Sequence, residues 1–243
     1  VALGTLLAQV ITLSIYFFTY KKLYKFDDKT PFSILFFKKL LLVQGPLFFR
    51  TLILLMVFSS LSFWSIQYGI IAVATTQILY QFWMTISFGV DSLAVVLQTL
   101  AGKLKAENKI IELQTLIKQC FNWSLVLSLM LTLVLIVKGE VLFSYFSKDP
   151  DVISMGGRYL PWIIVMPILT FGGFLFDGLF LGLSRTISMF KSVLYGVLFC
   201  FLPLTILLDP ILGLHSLWLG LLAFSLFRFL WLLKEYRTLS IKV

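Results

Sequence analysis

Apolar residues along this chain come in blocks of about twenty or more, long enough to cross a bilayer as helices, and short basic stretches separate the blocks. Seven blocks predict seven spans, over residues 1–20, 47–67, 70–102, 119–137, 159–184, 187–208 and 211–233. The third is longer than a bilayer needs at about 1.5 Å per residue, so it must tilt, kink or project beyond the lipid. Residues 21–45 form the one long connection. It is basic, with an apolar patch at 32–37, and Pro31 is suited to start a short interfacial helix there. The expected organisation is therefore one helix (1–20) ending a first unit, a basic linker (21–45) and a six-helix unit (46–243). The chain opens inside an apolar block without Met, so it reads as the carboxy-terminal part of a longer protein.

Composition agrees with that pattern. Sixty per cent of the residues are hydrophobic and 13% charged, with mean hydropathy +1.00, which places the chain among polytopic membrane proteins. The expected fold is all-α, a transmembrane helix bundle. A net charge of +9 would suit a nucleic-acid partner, but the basic residues sit in short loops between apolar blocks, so that class is set aside. Counted by loop, seventeen Lys and Arg lie on one side and three (Lys138, Lys148, Arg158) on the other. This bias predicts a cytoplasmic C-terminus. Cys120, at the opening of a helix, and Cys200 have no metal-ligand spacing to His215 and read as buried thiols. No metal site or cofactor is expected beyond a coupling ion, H⁺ or Na⁺.

Candidate chemistry centres on two aspartates inside the spans, Asp91 in Phe88-Gly89-Val90-Asp91-Ser92-Leu93 and Asp177 in Phe174-Leu175-Phe176-Asp177-Gly178-Leu179. A carboxylate at bilayer depth costs about 2.5–3.5 kcal/mol on insertion scales. Gln77, Met84, Asp91 and Gln98 recur every seven residues, with Ser87 on the same face and Gln81 nearby, so one polar stripe faces other helices or a cavity. Thr170, Gly173, Asp177 and Ser184 form a second stripe, preceded by Pro161 and Pro167, which free backbone carbonyls and bend helices. Each aspartate can be an ion- or proton-coupling group, or merely a satisfied interhelical hydrogen-bond partner. Arg50 reads as an anchor snorkelling to the interface.

Three classes of function fit two intramembrane carboxylates. A secondary transporter uses them to exchange H⁺ or Na⁺ against a substrate. An intramembrane aspartyl protease needs a pair sharing a proton, but here a complete helix separates the two spans and no Gly-x-Gly-Asp element is present. A non-transporting assembly subunit is the third class. Catalysis is therefore not expected.

Words along the chain resemble the multidrug and toxic compound extrusion (MATE) transporters, and within them the DinF-like branch. These are Arg50-Thr51-Leu52, Ala74-Thr75-Thr76-Gln77-Ile78-Leu79, Asp91-Ser92-Leu93-Ala94 leading to Gln98-Thr99-Leu100-Ala101-Gly102, Tyr159-Leu160-Pro161-Trp162 with Pro167, Asp177-Gly178-Leu179-Phe180-Leu181-Gly182, and His215-Ser216-Leu217-Trp218-Leu219. The resemblance implies the last helix of an amino-terminal lobe, an inter-lobe linker and a six-helix carboxy-terminal lobe, around a cavity open alternately to each side. It further implies cation-coupled export of drugs or other amphipathic organic compounds, in a bacterial cytoplasmic membrane. Within the same superfamily the alternative is export of a lipid-linked compound or metabolite. Asp177 matches an acidic position of the carboxy-lobe cation site in some branches. Gly173 stands where those branches have Tyr, and the second span has no carboxylate where they carry Glu, which argues against a Na⁺ site there. The implied partners are a small amphipathic substrate, the bilayer and the missing lobe of the same protein.

Overall fold

The computed structural model describes residues 2–23 and 34–240. Eight helices follow in order: α1 (Ala2–Leu23), α2 (Ile34–Ser65) with a single 3₁₀ turn (Ile66–Tyr68), α3 (Ile70–Ala106), α4 (Ile110–Phe146), α5 (Pro150–Gly182), α6 (Thr186–Gly196), α7 (Leu202–Leu212) and α8 (His215–Ser240). A π-helical turn, Val197–Phe201, joins α6 to α7 so that the two make one span. Among the described residues six helical stretches are long and apolar enough to cross a membrane, and Leu6–Tyr20 of α1 is a shorter apolar stretch. The chain is an integral membrane helix bundle, as the block pattern predicts.

Two units divide it, residues 1–40 and 41–243. In the first, α1 keeps apolar side chains such as Leu7, Ile11, Leu13 and Phe18 exposed all round its axis. Its hydroxyls return to their own helix, Thr12 to the Ala8 carbonyl and Ser14 to that of Val10. The expected interfacial helix at Pro31 falls partly on residues 24–33, outside those described. From Ile34 onward, α2 is continuous through Pro46.

In the second unit α5 is the axis. It packs on α3, α4, α6 and α8, and Ile163, Met166, Leu175, Leu179 and Phe180 along it are fully buried. A helix apolar on every side is stable only when surrounded. Its start is written locally, since the Asp149 carboxylate accepts the Asp151 N–H at 2.9 Å and Pro150 occupies the first turn. Pro161 and Pro167 remain inside an unbroken helix. The Ile164 carbonyl in that stretch accepts the Thr132 hydroxyl of α4 at 3.1 Å.

Several boundaries differ from those expected. α4 begins at Ile110 rather than 119, so Cys120 lies inside it and not at its opening. Residues 110–118 mix Glu112, Gln114, Thr115 and Lys118 with Ile and Leu, which breaks the apolar block while leaving a run of helix-compatible residues. α8 begins at His215 rather than 211, because Gly213 takes φ 55°, ψ −137°, backbone that glycine alone adopts readily.

Close backbone approach sets the geometry of the bundle at one crossing. A Cβ on Gly178 would lie 2.3 Å from the Ala94 carbonyl oxygen, and one on Gly182 2.2 Å from that of Gln98. Two glycines four apart on α5 thus press onto two residues four apart on α3, the small-x-x-x-small solution to packing without a hydrophobic drive. By contrast, α2 makes no comparable backbone approach to the bundle and attaches through side chains.

Candidate functional site: an arginine-clamped carboxylate beside an open one

The α3–α5 crossing brings the two aspartates together. Asp177 directly precedes the contact glycine Gly178, and Asp91 lies three residues before its partner Ala94, so both turn toward the crevice between α2 and α8. Both line one cavity of about 300 Å³, with Arg50, Ser87, Gln98 and Arg228 as its other polar walls and Phe58, Trp83, Met84 and Phe174 among its apolar ones.

Asp177 is clamped. Its Oδ2 accepts hydrogen bonds from the Nη2 groups of both Arg50, on α2, and Arg228, on α8. The three side chains are only 17%, 13% and 7% exposed for Arg50, Asp177 and Arg228. Arg228 also stands over the Phe224 ring, 5.3 Å from its centroid. A carboxylate this deep is expensive unless paired and hydrogen-bonded, and guanidinium is the cation best shaped for that duty. Asp177 Oδ1 and the Nε atoms of both arginines are buried without a partner, so the cluster retains unspent hydrogen-bonding capacity.

Asp91 is the opposite case. It lies within electrostatic reach of Asp177, Arg228 and Arg50, yet among the described residues it has no hydrogen bond or ion pair. It is half-buried and faces the cavity. With both acids ionised, the four charged groups sum to zero, two positive and two negative.

The remaining candidates separate into those at the cavity and those elsewhere. Ser87 and Gln98 line it with Asp91, and the Ser87 hydroxyl donates to the Trp83 carbonyl at 2.8 Å. Gln77 is on the same seven-residue repeat but is spent on the Ser62 hydroxyl of α2. Gln81 is exposed, and Thr170 is buried with its hydroxyl on the Met166 carbonyl. Gly173 faces the Ser225 carbonyl, and Ser184 sits in the turn after α5 with φ 58°. Pro161 and Pro167 bend no carbonyl into this cavity, which neither of them lines. Among the described residues no three His, Cys, Asp or Glu side chains gather as a metal site.

Two arginines alter the sequence reading. Arg50 does not snorkel to the interface but turns inward to Asp177. Arg228, counted there as a loop charge, is 6% exposed inside α8. The signal was present in Phe227-Arg228-Phe229, a lone cation in an apolar run. Without the pair, the basic-side count falls from seventeen to fifteen against three, and the bias persists.

A third carboxylate went unremarked in the sequence. Asp209, beside Pro210 on α7, accepts from Trp64 Nε1 (3.2 Å), Gln67 Nε2 (3.2 Å), the Tyr68 hydroxyl (2.6 Å) and more distantly the Ser216 hydroxyl (3.5 Å). Nearby, Trp162 Nε1 donates to His215 Nδ1 at 2.9 Å, and the Tyr159 ring lies 4.4 Å from the imidazole. Arg50 and Trp64 are fourteen residues apart on α2, about 21 Å along its axis. Carboxylates therefore hold α2 at its middle, through Arg50, and at its C-terminal end, through Trp64.

The family model described as MatE matches residues 46–211. DNA damage-inducible protein F of Escherichia coli (strain K12) is 24% identical over 233 residues, covering 93% of this chain and 50% of that protein. Protein DETOXIFICATION 45, chloroplastic, of Arabidopsis thaliana is 27% identical over 180 residues, covering 72% of this chain and 31% of that protein. The chain thus spans half the length of the first relative and less than a third of the second. The clamped and open aspartates both lie within the matched segment, and the chain belongs to the MatE family.

Proposed function

We propose that the full-length protein is a secondary active transporter that exports amphipathic organic compounds in exchange for H⁺, and that this chain supplies its carboxy-terminal lobe with the last helix of the lobe before it. The basic ends of the helices face the cytoplasm in this reading. Asp91, rather than Asp177, is the group that exchanges the proton. One observation carries this: two carboxylates share a cavity, and only Asp91 lacks a counter-charge bonded to it. A proton on Asp177 would neutralise the counter-charge of two buried guanidinium groups, whereas one on Asp91 discharges no bonded pair. A lipophilic cation seated against ionised Asp91, with Trp83, Phe58 and Phe174 offering ring faces, would compete directly with that proton. Mutual exclusion of proton and substrate at one group is what an exchanger requires.

The test uses full-length protein in proteoliposomes, with a pH gradient imposed and efflux of a fluorescent lipophilic cation followed. Asp91→Asn is expected to abolish the response to the gradient while leaving the protein folded. A folded Asp91→Asn variant with wild-type response overturns the reading.

A further inference from the structure

We infer that Arg50 and Arg228 set the ion selectivity of this site, holding Asp177 in a standing ion pair that keeps metal cations such as Na⁺ from using it. The inference rests on the reading of Asp91 as the exchanging group, and it adds residues and a mechanism for choosing the ion.

A proton needs a single lone pair, which Asp91 supplies alone. A hard metal cation needs several oxygen ligands at once, and a carboxylate among them that is not already neutralised. The oxygens gathered at this cavity are those of Asp91, Ser87, Gln98 and Asp177. Asp177 is withdrawn from that set, because both guanidinium groups converge on its Oδ2 while its Oδ1 is shut away from solvent. Each arginine also places a full positive charge beside the position a cation would take. With both acids ionised the site has no net negative charge to offer a metal.

The two arginines are not equivalent. Arg228 is 6% exposed and fixed over Phe224 by its own helix, α8. Arg50 is more exposed and reaches in from α2, the helix with no close backbone approach to the bundle. Arg50 is therefore the removable half of the clamp. Replacing it with a neutral side chain leaves Asp177 paired to Arg228, frees one lone pair beside Asp91, and shifts the four-group balance to −1.

The experiment measures binding of radiolabelled Na⁺ to purified full-length protein at fixed pH. Arg50→Gln should bind one Na⁺ more than wild type, or bind it on the order of tenfold more tightly, as expected from loss of one nearby cation. Arg50→Lys, which keeps the charge, should show no gain, and Arg50→Gln combined with Asp177→Asn should lose it. A folded Arg50→Gln protein whose Na⁺ binding equals that of wild type overturns the inference. Should Arg50→Gln fail to fold, Arg50→Met and Arg228→Gln replace it, and failure of all three to fold overturns the inference as well, since the clamp would then be structural. Failure of the transport reading looks different: wild-type vesicles would show no efflux driven by a pH gradient, whatever Arg50→Gln does with Na⁺.

Discussion

Asp177 and Asp209 do the same mechanical job at two points along α2, its middle and its C-terminal end, and they do it with different partners. At the first point two cations converge on one carboxylate oxygen. At the other, four neutral donors from an indole, an amide, a phenol and a hydroxyl surround a carboxylate with no cation bonded to it. Depth explains the difference. Asp209 stands at the end of a span, among exposed or half-buried neighbours, where water can solvate its charge. Asp177 is 13% exposed and well inside the bundle, where an unpaired charge is costly. Among the described residues Asp91 has neither solution, which is why the proposed function gives it the exchanging proton.

Deleting each carboxylate in turn should separate the two anchor points most clearly. Asp177→Ala leaves two buried guanidinium groups without a counter-charge and should destabilise the protein by about 3–5 kcal/mol. Asp209→Ala strands only neutral donors near water and should cost about 1–3 kcal/mol. Thermal denaturation of the full-length protein in detergent checks both, and equal losses would remove the distinction between the two anchor points. Next in size is the crossing that places the aspartates together. Gly178→Val forces a side chain onto the Ala94 backbone and should cost about 1–3 kcal/mol or splay α3 from α5, read as lost crosslinking between cysteines introduced across that pair. A smaller effect, about 0.5–1.5 kcal/mol, is expected for Tyr68→Phe, which removes one donor of four at Asp209.

The least effect belongs to an exposed carboxylate. In the turn between α3 and α4, the Lys109 ammonium bonds Glu107 at 3.1 Å and holds its carboxyl below the usual Glu range. A lowered carboxylate contributes stability above its ordinary pKa and loses it as pH falls through the folded value. Lys109→Gln should therefore change stability only above the ordinary Glu range, and within error because the pair is exposed. A large change would show that surface charge rather than the buried clamp governs this end of the bundle.

Spans, their order and both intramembrane aspartates were legible in the sequence, because hydropathy blocks and an acid in an apolar run are one-dimensional signals. Half of the polar stripe was also legible: Ser87, Asp91 and Gln98 do share the cavity wall. Gln77 fits the same repeat, yet almost three turns before Ser87 on α3 it faces Ser62 of α2 instead. Helix periodicity gives a face but not the neighbour on it. The clamp escaped for the same reason. Arg50, Asp177 and Arg228 lie 127 and 51 residues apart, and only the packing of α2 and α8 about α5 makes them partners. Gly178 and Gly182 are plain in the sequence, but their role in backbone contact with α3 is visible only in the packing.

On the proposed function Asp91 releases a proton when substrate binds, and that release can be counted. A lipophilic cation such as tetraphenylphosphonium, added to full-length protein in weakly buffered detergent solution below neutral pH, should release protons from wild type. The Asp91→Asn variant should release fewer by one proton per molecule, and Arg50→Lys should match wild type. Undiminished proton release from a folded Asp91→Asn protein would contradict the account.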